Sequence, residues 1–347
     1  MFASLGSILY GYDLGVIAGA VASENFVNTF QPTDAETGAV VSVFTGGAFF
    51  GAFGAGPTGD FLGRRKTIML GAVIFILGGA LQTGARALSY LYAGRGKQSA
   101  RPFNSIADHV AAIAGIGVGF LTMIIPLYQA ELAHPSIRGR VTALQQFMLG
   151  IGSLVASWVS YATYTYLPAS DSGQWRISLG IQIIPAVFLA ALILLFPESP
   201  RWLIDHGRPE DGLRTLARLH SHGDTNDSWV RAEFEQIQDS ITFEHDHEAK
   251  SYKELFTNKS SFRRLFLACS IQASVQMTGV SAIQYYSPVI FEQIGIPGSD
   301  TLKYQGISSI IALIAQFFCI LLIDWTGRRW AMIGGNLVSL GLLDLSP

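Results

Sequence analysis

Charge is what this sequence has least of. Asp, Glu, Lys and Arg together make up 14% of its 347 residues, where an ordinary soluble domain carries about 25%. So little polar surface cannot keep a chain of this length in water, and with half of its residues hydrophobic and a mean hydropathy of +0.36 the fitting solvent is lipid. Cysteine is nearly absent: Cys269 and Cys319 both sit in apolar stretches, read as small core residues, and leave no disulfide framework or thiolate metal site. An excess of either sign is also missing, the formal net charge being −2, which excludes the basic surface that a nucleic-acid partner requires. No loop gathers a nucleophile, a base and an orienting group, so an enzyme is not expected, and nothing calls for a cofactor or a metal.

What is present in quantity is apolar length. A bilayer-crossing helix needs about 20 consecutive, mostly apolar residues. Eight segments meet this with few or no internal charges: Phe2 to Ala22, Ala39 to Pro57, Thr67 to Leu88, Ala107 to Gln129, Val141 to Tyr161, Ile177 to Phe196, Leu265 to Phe291 and Tyr304 to Ile323. A ninth begins near Trp330 and is cut at Pro347. The first segment has no basic start and no small-residue cleavage site, and it carries Asp13 in its middle, so it reads as a retained span. The expected class is an all-α, polytopic membrane protein with the lipid bilayer as its partner.

Basic residues set the orientation, because Lys and Arg accumulate in cytoplasmic loops. Arg64, Arg65 and Lys66 follow the second span, Arg138 and Arg140 the fourth, Arg328 and Arg329 the eighth, and ten more run from Arg201 to Arg264. The stretches 23–36, 162–175 and 292–302 contain none. The N terminus therefore faces the cytoplasm. The loop from Arg201 to Arg264 is the only water-compatible segment of any size. In it Leu213, Leu216 and Leu219, then Phe234, Ile237 and Ile241, recur at helical spacing and predict short surface helices. His220, His222, His245 and His247 lack metal-ligand spacing and read as solvated.

One pattern occurs twice. Asp60-Phe61-Leu62-Gly63-Arg64-Arg65 follows the second span, and Asp324-Trp325-Thr326-Gly327-Arg328-Arg329 follows the eighth. A single copy would be a tight turn with basic anchors; two copies in register point to halves of six spans, related as parallel repeats about a central cavity.

With further motifs in order, the chain resembles the sugar porter family of the major facilitator superfamily over almost its whole length. These motifs are Gly11-Tyr12-Asp13 with Gly15-Val16-Ile17, Pro126-Leu127-Tyr128-Gln129-Ala130-Glu131 leading to Arg138-Gly139, Pro197-Glu198-Ser199-Pro200-Arg201, and Gln276 with Thr278-Gly279 and Tyr285-Tyr286. The resemblance implies a major facilitator fold. A six-span N-terminal bundle would occupy 1–200, a cytoplasmic loop with short helices 201–264, and an incomplete C-terminal bundle 265–347. It implies secondary transport of sugars or related polyols by alternating access, coupled to protons, in the plasma membrane.

Individual residues carry physical readings beside the implied ones. Asp13 facing lipid would cost about 2.5–3.5 kcal/mol, so it should face a cavity or a cation. Binding a proton there would favour one conformation over another, which is what symport requires; the bland alternative is a helix-end carboxylate reached by water. Gln146, Gln276, Gln284 and Ser281 are uncharged hydrogen-bonding groups within spans, suited to solute hydroxyls or equally to interhelical bonds. The resemblance sets Gln145, Gln146 and Gln276 against the sugar, with Tyr285 among the substrate residues. At the cytoplasmic ends Asp60, Arg64, Arg65, Glu131, Arg138, Glu198, Arg201, Asp324, Arg328 and Arg329 would form a gate of ion pairs that separates when the protein opens inward.

Departures from the family pattern are equally specific. Val275-Gln276 stands where two glutamines are usual, and Ser281 where Asn is usual. Residues 96–111 interrupt the fourth-span pattern, and deleting them joins Gly94-Arg95 to Ala112 and restores it. This insert reads as a translated intron. It would move Arg95, the implied partner of Asp13 in proton coupling, out of its helical slot. The chain also stops in its ninth span where a complete porter has twelve, which leaves two alternatives open: an inactive truncated product, or a transporter-like nutrient sensor.

Overall fold

The structure is a computed structural model that describes residues 5–21, 23–31, 34–84, 110–134, 138–247, 254–296 and 298–343, and all regular structure among these residues is helical. Six membrane-scale elements come first: α1 (Leu5–Val21), α3 (Asp34–Leu62), α4 (Arg64–Thr83), α5 (Val110–Leu132), α6 (Arg138–Tyr166), and a broken sixth made of α7 (Gly173–Ile181) and α8 (Ile183–Leu192). A short helix, α2 (Glu24–Phe30), caps the outer end. Below the bundle lie α9 (Pro200–Asp205), α10 (Pro209–His220), α11 (Ser228–His247) and α12 (Glu254–Thr257), followed by α13 (Lys259–Met277), α14 (Val280–Gln293) and α15 (Gly298–Leu343). Of the apolar segments read from the sequence, Ala39–Pro57, Val141–Tyr161 and Tyr304–Ile323 lie within α3, α6 and α15, those at 177–196 and 265–291 cross a break between helices, and the other three begin or end outside the described residues. Arg95 and most of the insert at 96–111 lie outside the described residues, and only its last two, Val110 and Ala111, open α5.

Four helical stretches are individually long and apolar enough to cross a membrane: Arg64–Thr83, Ala112–Leu132, Gly173–Leu195 and Asp300–Leu322. The 29-residue helices α3 and α6 are long enough but rich in Gly, Ser and Thr. That composition serves packing. Lipid tails are as apolar as leucine, so helices in a bilayer associate through close backbone approach at small residues. The alternating glycines of α5 show how. Gly115 and Gly119, four apart on one face, press on the carbonyls of Phe44 and Ala48 in α3, while a Cβ on Gly117 would lie 2.5 Å from the Phe75 nitrogen of α4. Two residues on a helix turn through about 200°, so one glycine run serves two opposite neighbours. Helix α3 returns the contact through Gly47 and Gly51, and α1 meets α6 in the same way through Gly11, Gly15 and Gly152.

The breaks have local causes. At the sixth span Pro185 provides no N–H and crowds the carbonyl of Ile181, where α7 ends. Between α13 and α14 the chain turns at Gly279, with φ +76°. Gly63, between α3 and α4, has φ 91° and ψ 161°, and Gly327, inside α15, has φ 72° and ψ 153°. That region is open essentially to glycine alone. The two copies of the sequence repeat thus bend the chain identically, and Gly327 divides α15 into the eighth span and the start of a ninth.

Helix α6 also carries the contact to the C-terminal segment. Ser157 and Ser309 hydroxyls are 3.0 Å apart, and Gly306 sits beneath the Trp158 ring. By contrast α13 buries no residue at all. The expectation that Cys269 and Cys319 are core residues fails, for both are exposed. In a membrane protein an apolar neighbourhood in sequence marks a lipid face as readily as a core.

Gly46 and Gly47 offer a test of the packing. A Cβ on Gly46 meets nothing within 4 Å, whereas one on Gly47 would stand 2.5 Å from the Ala112 carbonyl. Gly47→Ala should destabilise the bundle by about 1–3 kcal/mol, and Gly46→Ala should leave it unchanged or slightly firmer; thermal unfolding of the two variants in detergent checks this.

Candidate functional site

Two sites emerge, one at the end of the bundle where α3 meets α4 and one within it. At that end the turn at Gly63 sets Arg64 as the first residue of α4, its side chain only 10% exposed. Arg64 Nε and Nη2 donate to the two oxygens of Glu131 at 3.0 and 3.1 Å, a bidentate pair, while Nη1 donates to the Gly59 carbonyl at 3.0 Å and to Asp60 at 3.1 Å. The Glu131 side chain is 8% exposed. A buried ion pair is tolerated only when its remaining hydrogen-bonding groups are also met, which this geometry achieves.

Glu198 plays a different part from the expected ion pair. Its carboxylate accepts from the backbone N–H groups of Arg64, at 3.0 Å, and Arg65, at 3.2 and 3.3 Å, and from its own neighbour Ser199. The cap residue of α4 is a glycine with no side chain to offer, so a carboxylate from the end of the sixth span satisfies the free N–H groups and complements the helix dipole. Arg65 reciprocates, donating to the Leu194 and Phe196 carbonyls at the other helix's end. Tyr128 bonds to the Pro197 carbonyl at 2.7 Å, and Trp202 Nε1 to that of Asp60 at 2.7 Å. Spans two, three, four and six are thereby tied at one point.

Asp60, Arg64, Arg65, Glu131 and Glu198 are therefore brought together. Arg201 instead pairs with Glu244 of α11 at 2.6 Å, because α9 turns its side chain toward the cytoplasmic helices. Arg329 is exposed and pairs with nothing among the described residues; the side chains of Arg138, Asp324 and Arg328 lie outside them. Trp202 and the Gly59 carbonyl were missed in the sequence, the latter because a backbone acceptor leaves no signature. Of the loop histidines, His220 bonds Glu233 at 2.9 Å and His245 bonds Asp205 at 2.8 Å, in separate places.

Within the bundle Asp13 is buried on α1, and its Oδ2 has no hydrogen-bond partner among the described residues. Helix α14 packs against α1 here. The Tyr285 hydroxyl shares a hydrogen bond with Thr45 of α3 and lies within electrostatic reach of Asp13 and Tyr10. The structure thus sets Tyr285 near Asp13, with Tyr10, three residues before Asp13 on α1, and Thr45, which had no sequence signal beyond its hydroxyl. Gln145 and Gln284 are half-buried, Gln146 and Gln276 exposed, and the Ser281 side chain lies outside the described residues.

A helical bundle that buries an ion-pair network at one end and an unmet carboxyl inside belongs to the polytopic membrane proteins that keep charge within their spans. The comparisons are specific: the family description "Sugar (and other) transporter" matches residues 1–343. The chain belongs to that family, and it is an integral, multi-pass membrane protein. It is 32% identical over 97% of its length to the MFS-type transporter criB of Aspergillus cristatus, covering 69% of that protein. It is 35% identical to the quinate permease of Emericella nidulans, over 96% of this chain and 62% of that one. Among solved structures, the proton:xylose symporter XylE bound to 6-bromo-6-deoxy-D-glucose aligns with a TM-score of 0.76 at 25% identity, over 94% of this chain and 69% of that one. The inward-open form of XylE from E. coli aligns with a TM-score of 0.68, at 25% identity and the same coverages of 94% and 69%. The chain thus spans roughly two thirds of the proteins it matches.

Two outcomes follow. Arg64→Lys keeps the charge but cannot make the bidentate pair, so it should destabilise nearly as much as Arg64→Ala, whose loss leaves Glu131 uncompensated at a cost of about 3–5 kcal/mol; denaturant unfolding checks the pair. The Arg201 hydrogen bond holds the Glu244 carboxyl below its ordinary value of 4.5. This contact therefore stabilises the folded state above that value and is lost as pH falls through the lower, folded one. Hydrogen exchange of α11 amides should rise on acidification below about 4.5 in the native chain, and this acid-dependent step should vanish in Arg201→Gln.

Proposed function

We propose that this protein moves a sugar or related polyol across the membrane by alternating access, together with a proton, from a plasma membrane in which its N terminus is cytoplasmic. The observation that carries the reading is Asp13: a buried carboxyl with an unmet oxygen, on the first span, beside a tyrosine from the seventh. A carboxyl there that gains or loses a proton changes the electrostatics of the contact between the two halves, which is the linkage symport needs. The proton-coupled activity printed for XylE supports it.

The same reading assigns the halves to 1–200 and 265–347, with 201–264 as a cytoplasmic unit between them. Gln145, Gln146, Gln276, Ser281, Gln284 and Tyr285 are its solute-facing groups, all uncharged donors and acceptors matched to hydroxyls. Asp60, Arg64, Arg65, Glu131 and Glu198 close the cytoplasmic side, joined by Arg138, Arg201, Asp324, Arg328 and Arg329 when the halves meet. Because several relatives are quinate permeases, a hydroxyl-rich ring is the shared chemical theme of the candidate solutes.

Uptake of labelled xylose, glucose and quinate in transporter-null cells tests the proposal, with surface expression measured in parallel. Accumulation of a neutral sugar that collapses with the proton gradient is expected, and Asp13→Asn should abolish accumulation while leaving exchange of solute down its gradient. Accumulation unaffected by either change would overturn the proton-coupled reading; uptake of quinate alone would overturn the neutral solute.

A further inference from the structure

A cleft of about 370 Å³ lies at the cytoplasmic end between the start of α4 and the helices α9 and α10. Its wall holds five cations, Arg65, Lys66, Arg208, Arg214 and Arg218, against two carboxylates, Glu198 and Asp211. Both carboxylates are already committed. Glu198 takes the backbone N–H groups of α4, and Asp211 pairs with Arg208 at 2.7 Å and with Arg214 at 3.8 Å. Lys66 and Arg218 have no acidic partner among the described residues. Arg65, bound only to carbonyls through its Nη1, keeps its Nε buried with no partner among them. Three positive charges from two different elements therefore face one concave space with nothing to neutralise them.

Like charges gathered in a cleft repel, and their field concentrates an anion there. Guanidinium groups pair with carboxylate and phosphate oxygens alike through paired N–H donors, and the field of several uncompensated cations favours the more highly charged phosphate over a singly charged carboxylate. The Thr215 hydroxyl adds a neutral donor, and Trp202 supplies an apolar wall beside the charges. The first turn of α4 also opens a helix long and apolar enough to cross a membrane, and anionic lipids draw basic residues to the ends of such helices.

We propose that this cleft is a binding site for a phosphomonoester group, one that bridges α4, which carries the gate arginine, to α10 of the cytoplasmic helices. The shared chemistry is the phosphate; a soluble phosphorylated compound and an anionic lipid headgroup are its two sources. Occupancy fastens the cytoplasmic helices to the gate end of the bundle, whatever solute the protein carries.

The test uses the full chain in nanodiscs of neutral phosphatidylcholine, titrated with inorganic pyrophosphate, and a second preparation whose discs contain phosphatidic acid. A saturable rise in melting temperature is expected in at least one arm, and the arm that shows it identifies the source. The rise should be lost in Lys66→Gln, Arg218→Gln, two exposed positions whose change leaves the gate bonds in place, and kept in Lys66→Arg, Arg218→Lys. The starting melting temperature of each variant reports that it is folded. No rise in either arm, a rise that survives in the glutamine variant, or a loss in the charge-retaining one would each overturn the proposal.

Discussion

A guanidinium buried at one end of the bundle is the constraint on which the rest of this structure depends. Arg64 and Glu131 are both withdrawn from water, and two charges so placed are tolerated only because each nitrogen of the guanidinium finds an acceptor. Meeting that demand fixes the neighbours. The Gly59 carbonyl must point inward, which needs the sharp turn at Gly63; that turn leaves α4 without a capping side chain, which Glu198 replaces from another span. Three helix ends are thus positioned by the requirements of one side chain. A network of this kind is all-or-none, since losing one member leaves others buried and unmet.

Above it the physics changes. Inside the bilayer no hydrophobic gain draws one helix to another, so the spans rely on contact between backbones at glycine. Such surfaces fit in few ways, because neighbours that touch at their carbonyls cannot slide without overlap. The N-terminal bundle is therefore stiff, and its polar groups meet inside it, as where Tyr12 donates to the Ser178 carbonyl and Gln182 to Gln82. The contact of α6 with α15, by contrast, runs through hydroxyls such as Ser157 and Ser309.

Most of the helical architecture was legible in the residues alone, because length and apolarity decide a membrane span. The repeat was legible too, down to the glycine that bends each copy. What could not be read was how side chains share partners. Glu198 and Arg201 stand three residues apart in one motif, yet one caps a helix and the other reaches α11 to pair with Glu244. Nor could hydrophobicity separate a core from a lipid face, which is why both cysteines were misplaced. Around Asp13 the sequence offered the carboxyl and Tyr285, and Tyr10 stands three residues away on the same helix, but Thr45 reaches them only through the crossing of α1, α3 and α14.

The chain order of the contacts around Arg64 bears on how the protein is made. Every bond described at Arg64, Arg65, Glu131 and Glu198 joins residues between Gly59 and Trp202. A ribosome that has released little more than the sixth span has already delivered all of them. The first bundle can lock while the later spans are still being threaded into the bilayer, and α6, whose Gly150 and Ser157 wait for α15, then serves as the edge on which the second half is assembled.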